Sequence, residues 1–579
     1  MPLTLRINFT TSHSLLEGEL LAVSDPTHPR YGDHHTQSSL RAFTAATSEA
    51  VSVVTSWLAA HDLKFSLSAS GDVLKTRVTL EQAESLLKTT YRKYEHTDGR
   101  TIVRATEYSV PREVKEFVEM VQPTTMFGLQ RMDMTHKLTD MTTSARLAAP
   151  AAGCNSSITL QCLADLYGFA GYRSTGEASV GVSGFLEQYA QFGDLTTFLE
   201  KYNPAAALAN FTIVSVNGGV NPQNISNVGS IIEANLDIQY TVGISYPAKN
   251  TYFTTAGLPP FIPSPDETTN DSEPYLEYLE YLLSQPTLPS VLSTSYGDTE
   301  QIVPLSYRLS VCNQFARLGA RGVSVIFSSG DSGPGRPTCR TNDGTNSTGF
   351  QPIFPATCPW VTSVGGTVGV APERAADYSS GGFSDTWGMP TYQRSAVDEY
   401  FRTQPAAWQP YTKYFNKTGR GFPDVAAQGS NFQVILGGVE LLITGTSASA
   451  PVFAGIIALV NDYRLRKGRK SLGFLNPALY NNPKAFTDVK DGRSTGCNDP
   501  KFGEGSPGIV PGAGWNATEG WVSFLGSGRV LVGGLLICEQ DPVTGAANAK
   551  VWELEAYLGA YTSKQGGFCL LLSSCRQAV

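Results

Sequence analysis

Ser447 stands on a turn of small residues that leads into an apolar stretch of helical pattern, "GTSASAPVFAGIIALVND". A serine presented at the start of a helix can act as a nucleophile if a base takes its proton. Pro451 fits the first turn of such a helix, where a missing backbone donor costs little. The usual base is histidine, but the last of the seven histidines is His136. Either Ser447 is only a helix cap, or its base is a carboxylate, a lysine or a tyrosine.

Two carboxylates, Glu233 and Asp237, lie four residues apart in the helix-like stretch "GSIIEANLDIQYTVGI". This spacing places both side chains on one face of a helix. Two close carboxylates tend to share one proton, which leaves one of them usable as a base in acid. The alternative is a solvated acidic helix face, although the apolar neighbours favour partial burial. The pair is therefore a candidate base for Ser447.

Asp331 follows an apolar strand on a loop of glycine and serine, "VSVIFSSGDSGPG". A functional aspartate at the carboxyl end of a parallel strand would face the same crevice as Ser447. The alternative is a loop aspartate in an Asx-turn.

The stretch "GDSGPG" also resembles the serine motif of the chymotrypsin class, and "LAAHD" resembles its histidine motif. That assignment would make Ser332 the nucleophile and His61 the base. Three observations oppose it. His61 falls in an amphipathic helix of a separate first domain, the surroundings of Ser332 have an α/β pattern rather than a β-barrel pattern, and "GTSAS" would stay unexplained.

The elements that must position these residues fall into two domains. Residues 1–130 alternate strand-like and helix-like stretches and predict a small α+β domain. Residues 131–153 are rich in Met, Thr, Ala and Pro with little periodicity, which predicts an exposed linker that contains the processing site. From residue 154 onward, short β-rich runs that end in Gly or Ser alternate with helical stretches. This alternation predicts a parallel α/β sheet with functional loops at the carboxyl ends of its strands.

The composition limits the function classes. The chain of 579 residues is 41% hydrophobic and 16% charged with a formal net charge of -8, which indicates a globular protein without a nucleic-acid footprint. No stretch reaches the roughly 20 apolar residues of a membrane helix. No signal peptide is visible at the start, so we expect a secreted form to need a longer N-terminus. Eight N-x-[ST] sequons favour a secreted glycoprotein; they lie at Asn8, Asn155, Asn210, Asn224, Asn270, Asn346, Asn416 and Asn516.

Three motifs together, "GTSASAP", "IIEANLDIQY" and "SSGDSG", resemble those of the sedolisins, the serine-carboxyl peptidases. Residues 1–130 are similar to the inhibitory propeptide of that family, and "CNSSITLQCLADLYGF" resembles the start of its mature enzymes. The resemblance implies a subtilisin-like α/β fold over residues 154–560, with helices flanking a parallel sheet. It also implies activity at acidic pH, peptide or protein substrates, and a propeptide that is removed on activation. Residues 561–579 form a tail of unknown role.

The resemblance also implies the role of each candidate. Glu233 would take the proton of Ser447 and return it to the leaving amine, while Asp237 would orient and tune Glu233. Asp331 would be protonated in acid and would donate to the oxyanion of the tetrahedral intermediate. A glutamate base is useful in acid, where a histidine would already be protonated.

One structural calcium ion is also implied, held by two aspartates and by backbone carbonyls. The matching residues are Asp488 and Asp541, with the carbonyls of Val489, Thr518 and Gly520. Here residues 522–540, "VSFLGSGRVLVGGLLICEQ", separate the two halves of the loop. Removing them would join "GWNATEGW" to "DPVTG" and restore the calcium-loop pattern, so we interpret this insert as a retained intron. The alternative is a real surface insertion, and sequencing of the mature transcript decides between the two.

The sequence therefore predicts a secreted, monomeric, acid-acting serine-carboxyl peptidase in precursor form, which acts through an acyl-enzyme on Ser447. Whether it releases tripeptides or cuts internally depends on the loops around the cleft. The competing hypothesis is a secreted sedolisin-like glycoprotein whose catalysis is impaired because its calcium loop is disrupted.

Overall fold

The computed structural model describes most of the chain up to Cys497. The described parts are residues 2–10, 13–68, 70–95, 101–124, 153–257, 262, 264, 273–336, 338–370, 372–403, 405, 409–489, 491–492, 494–497 and 529–530.

The first domain is built on a small antiparallel sheet. Its strands are β1 (Pro2–Phe9), β2 (Phe65–Leu67), β3 (Val73–Thr79), β4 (Arg92–Glu95), β5 (Thr101–Arg104) and β6 (Val118–Gln122). Its helices are α1 (His13–Ser24), α2 (Gln37–Thr44), α3 (Ser48–Ala59), α4 (Leu80–Leu87) and α5 (Arg112–Lys115). The sheet order is β2-β3-β1-β6, and β4 pairs separately with β5. Alternating buried residues of β3 and the capping box of Thr79 and Gln82 at the start of α4 explain these elements locally.

The second domain contains a sheet whose central strands run parallel. The strands of this sheet are β7 (Ser179–Gly184), β8 (Phe211–Val216), β9 (Lys249–Thr255), β10 (Val291–Thr294), β12 (Ser324–Ser328), β14 (Thr362–Val368), β15 (Arg374–Ala375), β18 (Val425–Gln428), β21 (Thr487–Asp488) and β22 (Arg529–Val530). Their order is β21-β22-β18-β14-β12-β10-β7-β9-β8, and β15 pairs antiparallel with β14. Every residue of β10 and β12 is buried. Burial on both faces is typical of a parallel sheet covered by helices.

Three short two-stranded sheets complete the strands. They are β11 (Asp298–Thr299) with β13 (Ile353–Phe354), β16 (Gly382–Gly388) with β17 (Gly419–Phe422), and β19 (Phe432–Leu436) with β20 (Val439–Ile443). The hairpin β19–β20 turns at Gly437 and Gly438, both of which have positive φ. Two consecutive positive φ values are what a tight hairpin turn requires.

Helices cover the parallel sheet. They are α6 (Leu160–Leu166), α7 (Phe192–Tyr202), α8 (Ile232–Ser245), α9 (Tyr275–Ser284), α10 (Leu305–Ala320), α11 (Thr391–Thr403), α12 (Thr446–Arg466) and α13 (Asn476–Asn481). The largest apolar core lies between the sheet and the helices α8 and α12. The subtilisin-like parallel sheet with flanking helices, preceded by a small α+β domain, confirms the predicted fold class.

Three of the segments defined from the sequence fall largely or wholly outside the described residues. Of the linker, only residue 153 is described, and the tail 561–579 is not described at all. Of the insert, only Arg529–Val530 is described, as the two-residue strand β22 beside β18 and β21. No described helix is both long and apolar enough to pass through a membrane.

Candidate active site

The turn before α12 presents Ser447. The hairpin β19–β20 runs directly into this turn, and the N–H of Gly445 donates to the carbonyl of Gly429 at 2.8 Å. Gly445 is the N-cap of α12, so Ser447 lies inside the first helical turn and is not a cap. It is 7% exposed. The helix-cap alternative is therefore wrong, and the serine sits where a nucleophile can be held at a helix N-terminus.

Pro451 lies deeper in α12 than the first turn. A proline has no N–H, so it cannot donate to the carbonyl four residues earlier, which is that of Ser447. That carbonyl is instead approached by the hydroxyl of Ser295 at 3.4 Å. Because Pro451 leaves the Ser447 carbonyl without its helical donor, the Ser295 side chain can approach that carbonyl from outside the helix.

The helix α8 carries Glu233 and Asp237 in a fully buried environment. All of its 14 residues are buried, and the two carboxylates are 1% and 0% exposed. The alternative of a solvated acidic helix face is therefore wrong. At the N-terminus of α8 the backbone N–H of Glu233 donates to the side-chain oxygen of Gln188 at 3.2 Å. Burial of two charged carboxylates costs free energy unless they share a proton, so a pair retained at such a cost is a candidate functional site.

The helices α8 and α12 pack closely against each other. A Cβ added at Gly455 of α12 would lie only 2.8 Å from the Cβ of Ile244 in α8. Only a glycine permits this approach, because any larger residue would push the helices apart. This contact keeps the helix with the carboxylates beside the helix with Ser447.

Ser295, directly after β10, contacts both Asp237 and the backbone of Ser447. Its hydroxyl donates to Oδ1 of Asp237 at 2.8 Å and lies 3.4 Å from the carbonyl oxygen of Ser447. The hydroxyl has one proton, so the shorter contact with Asp237 is the dominant hydrogen bond. Ser295 therefore fixes the orientation of Asp237 relative to the serine turn.

The electrostatics of the buried pair favour a protonated Asp237. Burial raises the pKa of Asp237 well above its usual range, the charge of Glu233 raises it further, and the Ser295 hydrogen bond only partly opposes this. Burial and the charges of the same carboxylates also raise the pKa values of Tyr252 and Tyr296, so these phenols stay protonated. Glu233, one turn earlier on the same buried helix, remains the candidate base.

Side chains of α8 also hold the hairpin that leads to Ser447. Gln239 exchanges hydrogen bonds with the backbone of Ile435 in β19, at 2.8 and 3.0 Å. Asp194 accepts from the N–H groups of Gly437 and Gly438, both at 2.8 Å, and from Asn235 of α8 at 2.7 Å. The hairpin is therefore fixed to the helix that bears the candidate base.

Asp331 lies on the loop after β12 and contacts the serine turn. Its Oδ1 accepts from the N–H of Thr446 at 2.7 Å and from the hydroxyl of Thr446 at 2.8 Å. Thr446 is the residue immediately before Ser447. The structure therefore brings Asp331 to the turn that carries Ser447, as the sequence predicted from its place at a strand end.

The Ser332–His61 alternative finds no support in the described geometry. His61 follows α3 in the first domain, where its Nδ1 bonds to the carbonyl of Trp57 at 2.9 Å. The prediction that it lies in the helix is wrong by two residues, because α3 ends at Ala59. The backbone N–H of Ser332 donates to the hydroxyl of Ser380 at 2.9 Å. No hydrogen bond between Ser332 and His61 is found among the described residues.

The calcium ligands stay a prediction. Asp488 belongs to the short strand β21, and Val489 is buried at 2% exposure. Thr518, Gly520 and Asp541 lie outside the described residues. Among the residues with a described position, no cluster of three or more His, Cys, Asp or Glu could hold a metal ion.

Three site residues were not singled out in the sequence. Ser295, Thr446 and Gln188 each act through contacts with a residue more than 40 positions away. The strand-end position of Ser295 in "LPSVLSTSYG" was the only local signal, and it is the same signal that identified Asp331.

Comparison with known proteins identifies the two domains. Residues 1–127 match the model of the Pro-kumamolisin activation domain, and residues 265–469 match that of the Subtilase family. The chain is 46% identical to the tripeptidyl-peptidase SED2 of Arthroderma otae, over 87% of this chain and 86% of that protein. It is 43% identical to the tripeptidyl-peptidase SED4 of the same fungus, over 88% and 86% of the two chains.

Among solved structures, a Pseudomonas sedolisin, a serine-carboxyl proteinase bound to two molecules of pseudo-iodotyrostatin, is similar at 19% identity and a TM-score of 0.42. That match covers 62% of this chain and 95% of the other. The identity to the fungal enzymes over most of both chains, together with the activation domain, establishes the relationship. The chain belongs to the sedolisin family of serine-type peptidases and carries its activation domain at the N-terminus.

Proposed function

We propose that this chain is the precursor of a secreted, acid-acting tripeptidyl peptidase that uses Ser447 as nucleophile and Glu233 as base. The observation that carries the proposal is the buried pair Glu233 and Asp237 on the helix packed against the Ser447 helix. A base is needed there, and the chain contains no histidine after His136.

The reaction proceeds in two stages. Ser447 Oγ attacks the scissile carbonyl carbon while Glu233 removes its proton, and the carbonyl oxygen becomes an oxyanion that accepts a hydrogen bond from protonated Asp331. The tetrahedral intermediate collapses, the peptide C–N bond breaks, and Glu233 returns the proton to the leaving amine. Water then attacks the acyl carbonyl carbon while Glu233 takes its proton. The ester C–O bond breaks, Glu233 returns that proton to Ser447 Oγ, and the acid product leaves.

Acidic conditions suit both carboxyl roles. Asp331 must be protonated to donate, and Glu233 must be ionised to accept. Burial and the Glu233 charge raise the pKa of Asp237, so a proton shared by the pair is favoured on Asp237. A histidine base would be charged under the same conditions and could not accept a proton.

The similarity to tripeptidyl-peptidases leads us to propose release of tripeptides from free N-termini. The test is digestion of one long peptide near pH 4 by the matured enzyme, with the same peptide N-acetylated as a matched control and mass spectrometry of early products. We expect successive tripeptides from the free peptide and at least a hundredfold slower cleavage of the acetylated one. Equal internal cleavage of both would contradict the exopeptidase proposal and leave the serine peptidase intact.

Secretion is supported by three disulfides in the described residues, Cys154–Cys162, Cys312–Cys358 and Cys339–Cys497. Disulfides persist in oxidising compartments. Exposed sequon residues such as Asn224 and Asn346 would accept glycans, whereas Asn8 is buried against Ser310. We further propose a monomer with one structural calcium ion, held by the ligands predicted from the sequence.

We also propose that the activation domain inhibits the enzyme to which it is attached. It docks through α1 and α2, whose Leu16, Leu20 and Leu40 pack with Ala316 and Ala320 of α10. Buried Arg317 of α10 pairs with Asp72 of the activation domain. These contacts are apolar and ionic, so part of the docking depends on pH.

His34 is the activation-domain residue whose contact is most sensitive to acid. Its ring fits between Gly322 and Gly473 of the peptidase, where an added Cβ would lie 2.4 Å from Nδ1 or 2.7 Å from Nε2. Burial, and then the charges of Arg464 and Lys470, lower its pKa from 6.5 to about 4. Asp33 opposes this shift, and the nearby His35 adds to it.

The sign of the effect follows from the lowered pKa. Between pH 6.5 and about 4 the released domain binds a proton at His34 that the docked domain excludes. Docking is therefore strongest above pH 6.5 and weakens as the pH falls towards 4, by roughly one to two orders of magnitude. His34→Gln should shift the midpoint of acid release downward by about half a pH unit or more, whereas His28→Gln, an exposed control, should not. Size-exclusion chromatography of the Ser447→Ala chain, nicked in the linker, across pH measures this midpoint; identical midpoints for all three chains would contradict the expectation.

A further inference from the structure

Thr446 joins the loop of Asp331 to the nucleophile turn through three hydrogen bonds. Its N–H and its hydroxyl both donate to Oδ1 of Asp331, at 2.7 and 2.8 Å. The hydroxyl oxygen in turn accepts from the N–H of Gly330 at 3.1 Å. Thr446 is 1% exposed, so these bonds are shielded from water.

The two donors on one oxygen distinguish the two oxygens of the Asp331 carboxyl. In a neutral carboxyl group the carbonyl-type oxygen accepts hydrogen bonds, and the hydroxyl oxygen carries the proton and donates. Oδ1 accepts twice from Thr446, so it is the carbonyl-type oxygen, and the proton belongs on Oδ2.

We propose that Thr446 is a positioning residue that orients the Asp331 carboxyl and keeps its proton on Oδ2, the oxygen that donates to the oxyanion. The inference rests on the proposed oxyanion role of Asp331. It explains why a polar side chain stands immediately before the nucleophile: the residue that sets the serine turn also sets the acid that stabilises its intermediate. Thr446 and Ser447 are adjacent in α12. The hydrogen bonds of Thr446 therefore hold the Asp331 carboxyl, the oxyanion donor, in a fixed position relative to Ser447.

The Thr446 hydroxyl has two effects on Asp331: it favours ionisation of the carboxyl group, and it fixes the orientation of the neutral carboxyl group. A donor favours the ionised carboxylate, because hydrogen bonds to charged acceptors are the stronger ones. Removal of the hydroxyl makes ionisation of Asp331 harder, so the enzyme should stay active to higher pH. It also frees the carboxyl to rotate or to exchange its proton between oxygens, so turnover should fall. Lower turnover with a wider range at high pH is not what a merely destabilised enzyme shows.

Tyr378, which lies near Asp331, does not provide the same signal. Tyr378 is buried, and burial together with the charges of Asp331 and Asp377 raises its pKa, so it stays protonated across the working range. Its hydroxyl donates to the carbonyl of Gly429 at 2.6 Å. Substitution at Thr446 changes neither the charge of Asp377 nor that of Tyr378.

Two substitutions separate the hydroxyl of Thr446 from its methyl group. A Cβ at Gly366 would lie 3.3 Å from the Thr446 methyl carbon, so the methyl packs against the backbone of β14. Thr446→Val keeps that methyl and removes the hydroxyl, whereas Thr446→Ser keeps the hydroxyl and removes the methyl. Both leave the backbone N–H bond to Asp331 in place.

The experiment is a pH profile of kcat for the matured wild-type enzyme, both Thr446 variants and Asp331→Asn, with the thermal unfolding midpoint of each. We expect Thr446→Val to lower kcat about tenfold and to move the high-pH limb upward by about one unit, with the low-pH limb unchanged. Thr446→Ser should keep the wild-type limb. Asp331→Asn should lower kcat and abolish the high-pH limb.

The outcomes distinguish the oxyanion role of Asp331 from the positioning role of Thr446. If Asp331→Asn keeps the wild-type high-pH limb, the proposed oxyanion role of Asp331 is wrong. If that limb disappears in Asp331→Asn but Thr446→Val leaves it in place, the positioning role of Thr446 is wrong. Should Thr446→Val not mature, Thr446→Ala tests the same loss of the hydroxyl in a smaller side chain, and a wild-type limb in that variant overturns the inference.

Discussion

Ser447→Ala should abolish peptide hydrolysis, with a loss of kcat on the order of 10⁵–10⁶. The substitution removes the oxygen that forms the acyl-enzyme in the proposed reaction, while the carboxylates and Asp331 stay in place. Ser447 is 7% exposed in the first turn of α12, and the N-cap of this helix is Gly445 rather than Ser447. The fold should therefore remain, and the thermal unfolding midpoint should change by only a few degrees.

The measurement is turnover of a fluorogenic tripeptide substrate near pH 4 by protein whose activation domain has been cleaved in trans by wild-type enzyme, which is then removed. Ser332→Ala is the matched control, because Ser332 is the nucleophile in the alternative assignment from "GDSG". We expect the control to keep at least a tenth of the wild-type turnover. Full activity in Ser447→Ala, or loss of activity only in Ser332→Ala, would refute the assignment of the nucleophile.

The elements and the chemical groups of the site were readable from the sequence because their signals are local. Asp331 lies just after an apolar strand, and Ser447 lies in the first turn of a helix that follows a turn of small residues. Both positions are element boundaries that the local sequence indicates. The alternation of strands and helices after residue 154 was sufficient to predict a parallel sheet.

The burial of the helix α8 could not be predicted from its residue pattern. Acidic residues four apart are ordinarily a solvated face, and α8 has no polar face, because it is buried on all sides. Its Asn235 bonds to Asp194 and its Gln239 to the hairpin, while Asp237 accepts from Ser295, whose hydroxyl also approaches the carbonyl of Ser447. A pattern of single residues cannot reveal that the polar residues of a fully buried helix have partners elsewhere in the chain.

The same limit applies to Ser295 and Thr446. Each is a small hydroxyl residue whose importance depends on a partner that only the fold supplies: Asp237 for the first, and Asp331 for the second. Pro451 was misplaced for a related reason. Its position in α12 is tolerated because the carbonyl that loses a helical donor is approached by Ser295 from another strand end.

The competing hypothesis of an impaired relative gains no support from the comparisons, since the similar proteins are tripeptidyl-peptidases and the four candidate catalytic residues occupy one region around α8 and α12. Its basis was the insert at 522–540, which lies mostly outside the described residues.

The roles of the two buried carboxylates lead to the second large effect: Glu233→Gln should lower kcat about 10²–10⁴-fold, whereas Asp237→Asn should lower it far less. Glutamine keeps the size of the side chain but cannot accept the proton of Ser447. Asparagine resembles the neutral form of Asp237, which is the form that burial and the Glu233 charge favour. Its side-chain oxygen can still accept the Ser295 hydroxyl, now 2.8 Å from Oδ1 of Asp237. The Asp237→Asn enzyme should therefore retain a base that is present but differently tuned, with a shifted low-pH limb of the kcat profile.

Both variants should be compared at their own optimum pH, because a shifted optimum could otherwise be mistaken for lost catalysis. Ser295→Ala is the matched control for misorientation: it keeps both carboxylates and removes only the hydroxyl that orients Asp237. We expect it to resemble Asp237→Asn rather than Glu233→Gln. Near-wild-type turnover of Glu233→Gln would show that Glu233 is not the base. An equal loss in Glu233→Gln and Asp237→Asn would mean that the two carboxylates act as one inseparable unit, since the proton taken from Ser447 would then need both of them.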